Sequence, residues 1–520
     1  MEENIKYPIG IQTFSKIVEE KYAYVDKTRF IPLLENAGQF IFLSRPRRFG
    51  KSLLLSMMHS YFAGEKEYFK GLAIDSMNVE WKKRPVLHFD FNPENYLNEN
   101  ALEGLLHGYL KDFEKEYGIE TEEMSPSRRF SNLVKNIHEK TGEQVVILID
   151  EYDKPLLGLE DNKELFTKNQ GILKGFFGVL KSMDRSIRFA MLTGVARFNK
   201  VSIFSDLNNL NDISLDEEFA DICGWTQEEL EKYFSTGIKL IAKKYKVSYE
   251  ETLRDMKLTY DGYLFAEGGN RLYNPFSVLN ALSKKRLSYF WFHTGTPTFL
   301  AKRVKKRGIL LPTLNKCKCP EDMLTAVGID DPNPIPLLFQ TGYLTIRRTF
   351  GDIYELQFPN KEVEVGFARY LQPLYLPEMD DYNGPFSIWE FKEELNEGMP
   401  EKFMERMKAM IKAVPYEQHN EAFYQNLVYL LFTLIGIDSR MEEHTNQGRP
   451  DIVVRTEKFI YVFEFKYNGT VQEALDQIHN RDYAGRFGVD KRKVFLIGAN
   501  FSTTERGLEG YEIEDYIPRI

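Results

Sequence analysis

Cysteine is scarce: three in 520 residues, Cys223, Cys317 and Cys319. Three cannot supply a disulfide framework for so long a chain, which excludes a stapled extracellular scaffold and makes a reducing compartment the expectation. Long apolar runs are missing too. The longest candidate, Leu427 to Ile437, spans about 11 residues, well short of a membrane crossing, and reads as a buried helix. The opening MEENIKYPIG lacks the apolar core of a secretory leader, so a cytoplasmic location without a membrane partner is expected. A cationic excess is also absent. Lys and Arg number 68 against 77 Asp and Glu, a net charge of −9. That balance argues against coating nucleic acid indiscriminately but leaves room for a local basic groove. What is present is ordinary folded protein: 43% hydrophobic residues, too many for a disordered chain, and a length that suits three to four domains.

Four apolar runs in the first 220 residues read as strands: Phe40–Ser44, Pro85–Asp90, Val145–Asp150 and Ile187–Thr193. Amphipathic helical stretches separate them, so a mostly parallel sheet with helices on both faces is expected. Residues 225–330 read as helical and more polar. A helix at Pro336–Thr341, stopped by Gly342, precedes a hairpin of Tyr343–Phe350 and Ile353–Phe358, and another helix starts near Lys361; helix followed by hairpin is compatible with a winged-helix-like segment. Residues 373–385, rich in Pro, Asp and Tyr, read as a linker. Helices are expected over 387–436, and strands return after 451. The domains expected are 1–224, an α/β core; 225–330, helical; 331–385, the winged-helix-like segment and linker; and 386–520, a second α/β domain with leading helices.

The sharpest N-terminal signal follows the first strand: Arg45-Pro-Arg-Arg-Phe-Gly50-Lys51-Ser52, opening the helix Leu53–Phe62. Strand, loop and helix N-terminus form the context of a phosphate-binding loop, where free amides and the helix dipole favour an anion. Lys51 would reach the β and γ phosphates of ATP and Ser52 would offer its hydroxyl to Mg²⁺, with Arg47, Arg48, Phe49 and Gly50 shaping the loop. The usual pattern places Gly where this chain has Arg45; Arg45, Arg47 and Arg48 add positive charge instead. The strand at Val145 ends in Asp150-Glu151, the shape of a Walker B segment. Asp150 would hold Mg²⁺ and Glu151 would activate water. The strand at Ile187 ends in Thr193-Gly-Val-Ala-Arg197, where Thr193 would sense the γ-phosphate. Arg197 would neutralise developing charge or sit in a surface salt bridge.

A second signal lies near the C-terminus. Arg449-Pro-Asp451 opens one strand, Thr456-Glu-Lys458 is a turn, and Phe459–Lys466 returns. A hairpin centred near residue 457 pairs 451 with 463 and 450 with 464. Glu464 and Lys466 then share one face, and whether Asp451 joins them depends on a one-residue register. Two carboxylates and a lysine on an apolar hairpin are costly to bury without use. They suit metal-assisted phosphodiester hydrolysis, with hard oxygen ligands for Mg²⁺ or Mn²⁺ and Lys466 positioning or activating water. Upstream, Glu421 either reaches the metal or serves as an acid at a helix N-terminus. Downstream, a helix over Val471–Arg486 would present Gln477 and Arg481 on one face, toward phosphate or toward solvent.

Two weaker features remain. Lys302-Arg-Val-Lys-Lys-Arg307 is a basic cluster, read as a solvated helix end with phosphate contact as the alternative. Cys317-Lys-Cys319 has too few ligands for zinc.

The ordered set YPIGIQTFSKI, YAYVDKT, RPRRFGKS, VVILIDEYD, LTGVARFNKVSIFSDLNNL, YDGY and YNPFSVL resembles the bacterial AAA-ATPase-like family, which joins a P-loop fold to a C-terminal PD-(D/E)XK nuclease domain. The resemblance covers nearly the whole chain. It implies an ASCE/AAA-like P-loop sheet with the sensor strand between the loop strand and the Walker B strand, a helical lid over 225–330, and a restriction-endonuclease-like α/β domain over about 400–520. Every position of that nuclease motif is present as Glu421, Asp451, Glu464, Lys466 and Gln477. An Arg at position 45 is usual in the family, and it leaves hydrolysis more open than binding. The function implied is an ATP-binding, Mg²⁺-dependent nuclease acting on nucleic acid, DNA first, under nucleotide control, in defence or mobile-element biology. The alternative is an ATP-dependent switch or nucleic-acid-binding module without cleavage. A homo-oligomer is compatible with either, Arg197 acting in cis or in trans.

Overall fold

The computed structural model describes residues 5–120, 124–159, 162–197, 209–294, 298–324, 333–377, 379–381, 384–414, 420–436, 438–441 and 450–517. Arg449 and the whole stretch 198–208 lie outside them. The chain divides into two compact units, residues 1–297 with 316–363 and residues 298–315 with 364–520. One break, after Val363, falls inside the segment that reads as winged-helix and linker in the sequence; the other two, after Pro297 and Asn315, fall inside 225–330.

The first unit is built on a five-stranded parallel sheet. Its strands are β1 (Phe40–Ser44), β2 (Val86–Asp90), β3 (Val145–Asp150), β4 (Ile187–Gly194) and the short β5 (Asn211–Asp212), in the order β2-β3-β4-β1-β5. Parallel strands covered on both faces are apolar throughout, and every residue of β3 is buried. The strand carrying Thr193 lies between the loop strand and the strand ending in Asp150, as the family resemblance implies. Carboxyl ends of parallel strands line up at one edge, so Ser44, Asp90, Asp150 and Gly194 arrive together.

After the sheet come helices Gln227–Tyr245, Tyr249–Tyr260 and Pro275–Lys284. A capping box at Thr226 and Glu229 fixes the first of them, and Leu230, Phe234, Ile238, Met256, Tyr260 and Val278 pack as their shared core. A three-stranded antiparallel sheet completes the unit: β6 (Lys318–Pro320), β7 (Thr345–Phe350) and β8 (Ile353–Gln357), in the order β6-β8-β7, beside a helix at Ile335–Gln340. The hairpin matches the expectation from sequence, whereas β6 is an added strand.

The second unit holds a mixed sheet of β9 (Asp438–Met441), β10 (Ile452–Arg455), β11 (Phe459–Tyr467), β12 (Lys493–Ser502) and β13 (Gly507–Asp515), in the order β13-β12-β11-β10-β9, with only β11 and β12 parallel. One face of β11 sends Ile460 and Val462 into a core with Leu475 and Ile478 of the helix Val471–Asn480. The other face stacks Tyr461, Phe463 and Phe465 and meets Phe403 and Phe432 of the helices Pro400–Lys412 and Glu421–Ile435. Alternation along β11 thus sends Glu464 and Lys466 toward the helix that carries Gln477.

Candidate nucleotide and nuclease sites

The loop after β1 opens the helix Lys51–Phe62 with Gly50 at its N-cap. Gly50 has a φ of +96°, a conformation that a side chain at this position would resist, and no side chain caps the helix. The first-turn amides are therefore left for another acceptor. Lys51 is buried and donates to the carbonyls of Arg45 (3.0 Å) and Pro46 (3.4 Å), with the Glu151 carboxylate 3.6 Å away. Asp150 is buried at the end of β3; its Oδ1 accepts from the Thr193 hydroxyl at 2.6 Å and from the Glu151 amide at 3.0 Å. Its Oδ2 has no hydrogen-bond partner among the described residues.

Beside this edge lies a cavity of about 290 Å³. Arg47, Arg48, Phe49, Gly50, Lys51 and Ser52 form one wall, and Asp150 and Glu151 another. An apolar side is made by Ile11, Tyr24, Trp225, Phe276 and Leu279. Charged loop, strand-end acids and apolar wall together suit a nucleotide.

Two expected ligands point elsewhere. Arg45 is 1% exposed and spends its guanidinium on three backbone carbonyls: Ser44 (2.9 Å), Ser214 (2.7 Å) and Phe219 (3.0 Å). It also stacks over Phe265 at 4.3 Å. Its guanidinium is solvated by carbonyls inside the fold rather than offered to the loop. Arg197 is also buried, held by Asp212, with Phe42 beneath it and its amide on Gln340. Both arginines border a separate small hollow of about 40 Å³. Thr193 meets the acid edge through its hydroxyl on Asp150, and its carbonyl accepts from the Tyr152 amide at 3.1 Å.

Sequence reasoning missed several residues here. Asp153 is fully buried and accepts from the amides of Val195 (3.0 Å) and Ala196 (2.6 Å), which locks the segment after Asp150 onto the end of β4. Burial, with the Glu151 charge nearby, pushes its carboxyl up to about 6. Gly194 makes the approach possible: a Cβ there would lie 2.6 Å from the Tyr152 ring and 2.8 Å from Asp153. Trp291 donates its indole N–H to the Arg47 carbonyl (3.3 Å), and its amide and that of Phe290 donate to the buried Glu362, which also accepts from Ser277. Asp90, facing Asp150 across β2 and β3, lines the cavity too. The apolar-acidic ending of β2, Phe89-Asp90, is the one signal that pointed to it.

In the second unit the hairpin register differs by one from the expected pairing. Ile452 faces Phe463, so continuing the ladder sets Asp451 opposite Glu464 instead of Phe463. Directly opposed residues share a face, and the register question resolves in favour of one cluster. Glu464 Oε2 accepts from the Asp451 amide (3.3 Å), and Asp451 Oδ2 accepts from the Phe465 amide (2.8 Å). Lys466 Nζ lies 3.4 Å from Glu464 Oε1 and donates to Gln477 Oε1 at 2.5 Å. Gln477 in turn donates from Nε2 to the buried Tyr483 hydroxyl at 3.2 Å, which turns its carbonyl toward the lysine. Burial and the Asp451 charge push the Glu464 carboxyl up to about 7, against the opposing pull of Lys466. Two carboxylates crowded in this way are a donor set that a divalent cation would relieve.

Glu421 is not brought into that set. It sits exposed on the first turn of its helix, accepting from Gln425, near enough to Tyr467 to share in raising that phenol after burial and Asp451. Among the described residues no three His, Cys, Asp or Glu converge to hold a metal. The length of the helix that carries Gln477 departs from expectation as well. The helix ends at Asn480 instead of continuing to Arg486: Arg481 is its C-cap, its amide donating to the Gln477 carbonyl (3.0 Å) one turn below, and Asp482 at a φ of +44° turns the chain away. No helix among the described residues is long and apolar enough to cross a membrane.

A family model described as "Predicted AAA-ATPase" matches residues 8–204, and one described as "PD-(D/E)XK nuclease superfamily" matches residues 419–509. An "Uncharacterized protein in vnfD 5'region" of Azotobacter chroococcum mcd 1 is 34% identical over 528 residues, covering 98% of this chain and 99% of that protein. Among solved structures, Cdc6p from Pyrobaculum aerophilum aligns with 72% of this chain and 97% of its own at 9% identity and a TM-score of 0.23. Two motif sets in their expected order, a full-length relative and both family matches agree: the chain belongs to the AAA-ATPase-like family, an ATPase-like domain followed by a PD-(D/E)XK nuclease domain.

Proposed function

We propose that this protein binds ATP in its first unit and cleaves DNA phosphodiester bonds with its second, the cleavage being under nucleotide control. The observation that carries the reading is the chain Asp451, Glu464, Lys466, Gln477: two opposed carboxylates with an ammonium held beside them. Asp451 and Glu464 would hold Mg²⁺ or Mn²⁺. A bound divalent cation supplies Lewis-acid polarisation of the scissile phosphate and acidifies a water. Lys466, kept in place by Glu464 and Gln477, directs its remaining N–H toward the water or the phosphate oxygen. Gln477 fixes that direction because Tyr483 occupies its amide nitrogen.

In the first unit the cavity fits a nucleotide, with the loop amides and Lys51 on the phosphates, Ser52 and Asp150 toward Mg²⁺, and the apolar wall of Trp225, Phe276 and Leu279 on the base. Glu151 is engaged with Lys51, and phosphate at Lys51 would compete for that pair. This pairing favours, as a second reading for this half, slow hydrolysis or binding alone, with the occupied state acting as the signal. Lys466→Ala separates enzyme from binding module. A nuclease loses cleavage while duplex binding is kept. Cleavage that survives the substitution refutes the assignment.

A further inference from the structure

The basic cluster that reads as a solvated helix end belongs to the nuclease unit. Residues 298–315 leave the first unit and pack with 364–520. The helix Thr298–Arg307 carries five Lys and Arg and no acid. The chain after it is pinned to the helix Glu421–Ile435. Asn426 Oδ1 accepts from the Leu311 amide at 2.7 Å, and Asn426 Nδ2 donates to the Ile309 carbonyl at 3.0 Å. Asn426 lies five positions from Glu421, about 8 Å along the helix axis. The cationic end at Arg307 is therefore anchored within roughly one and a half turns of the helix end that carries Glu421.

The rest of the unit is acidic: residues 364–520 contain 27 Asp and Glu against 18 Lys and Arg. Such a surface repels a polyanion unless a local patch of the other sign receives it. Lys305 is already used, its amine on the Leu374 carbonyl and over Tyr375. Lys302, Lys306 and Arg307 are exposed and have no hydrogen-bond or ion-pair partner among the described residues. Lys302 and Lys306 are spaced i, i+4, a like-charge pair that costs a helix a few tenths of a kcal/mol. One cation near the last turn would satisfy the helix dipole; three unpaired ones exceed that need.

We infer that Lys302, Lys306 and Arg307 are the phosphate-contacting surface that holds nucleic acid on the nuclease unit. The inference rests on the nuclease reading above. Contacts of this kind give affinity without sequence preference, and each contributes about 0.9 to the dependence of log K on log salt.

The test uses the full chain with EDTA present, so that binding is read without cleavage. A fluorescein-labelled 30-base-pair duplex and a labelled single strand are titrated from 50 to 300 mM NaCl against wild type, K302A/K306A/R307A and K302R/K306R/R307K. The alanine variant is expected to lower the salt slope by about 3 and to weaken binding at least tenfold at 100 mM salt, equally for unrelated sequences. The charge-conserving variant keeps both, which separates charge from helix packing. A slope in the alanine variant equal to that of wild type overturns this assignment alone. Wild-type protein that binds neither probe at 50 mM salt overturns the nuclease reading and this inference with it.

Discussion

Arg45→Gly restores the glycine that phosphate loops ordinarily carry, and by sequence pattern alone it is a repair. The structure predicts damage. The guanidinium is 1% exposed and bridges the carbonyls of Ser44, Ser214 and Phe219, with Phe265 packed over it. Removing it strands two carbonyls from outside the loop, on Ser214 and Phe219, in the interior. Each uncompensated buried acceptor costs about 1–3 kcal/mol, and the lost packing over the ring costs up to about 2 more. The guanidinium's own desolvation, several kcal/mol in an ordinary buried site, offsets part of this. A net loss of about 3 kcal/mol is expected, close to the lower end for breaking a buried charge network. Three of the four tryptophans, Trp81, Trp225 and Trp291, lie in the first unit, so Trp389→Phe leaves fluorescence that reports on that unit alone. In that background, urea unfolding of Arg45→Gly should show a clearly lower midpoint with an unchanged slope. Stability within 1 kcal/mol of the parent, or a gain in ATP hydrolysis, would refute the assignment of Arg45 as an internal brace.

Other consequences follow from the same geometry. Burial pushes the Glu362 carboxyl up to about 7 from an ordinary 4.5, although Trp291, Ser277 and Phe290 donate to it. An acid whose folded value is raised keeps its proton longer when folded, so its contribution is complete below about 4.5 and fades as pH climbs through 7. Glu362→Gln, with no proton to lose, should flatten the pH 5–8 stability profile by up to about 3 kcal/mol in denaturant titrations; an unchanged profile would count against it. Tyr483→Phe frees the Gln477 amide to turn from Lys466, and should lower kcat for cleavage several-fold with KM unchanged, whereas a rise in KM alone would place Tyr483 in binding. Asp90→Asn should slow ATP turnover while leaving nucleotide affinity within about threefold, since Asp90 lines the cavity without contacting Lys51; tenfold weaker binding would contradict that.

Strands β1 to β4 were legible because each is a mainly apolar run closed by Ser, Asp or Gly, whereas β5 (Asn211-Asp212) and β9 (Asp438-Ser-Arg-Met441) carry no such run and were not. The hairpin at 451–467 was legible as a hairpin but not in register: turn length fixes register, and one residue at Thr456–Lys458 decides it. Arg45 misled because its charge is visible in sequence, while the carbonyls that receive it come from residues 214 and 219, far along the chain. The helix over 471–486 was read too long; Asp482 adopts a left-handed turn that no Gly announces. The membership of 298–315 in the nuclease unit rests on long-range ties, Asn426 to Ile309 and Leu311 and Lys305 to the Leu374 carbonyl, that no local pattern encodes.

The most direct measurement incubates purified wild type, Asp451→Ala and Lys51→Ala with linear, circular and single-stranded DNA in Mg²⁺ or Mn²⁺, with and without ATP. On the nuclease reading, wild type cleaves, Asp451→Ala does not, and Lys51→Ala loses the response to ATP. Cleavage that persists in Asp451→Ala, or the absence of cleavage by wild type on every substrate with DNA still bound, would contradict it.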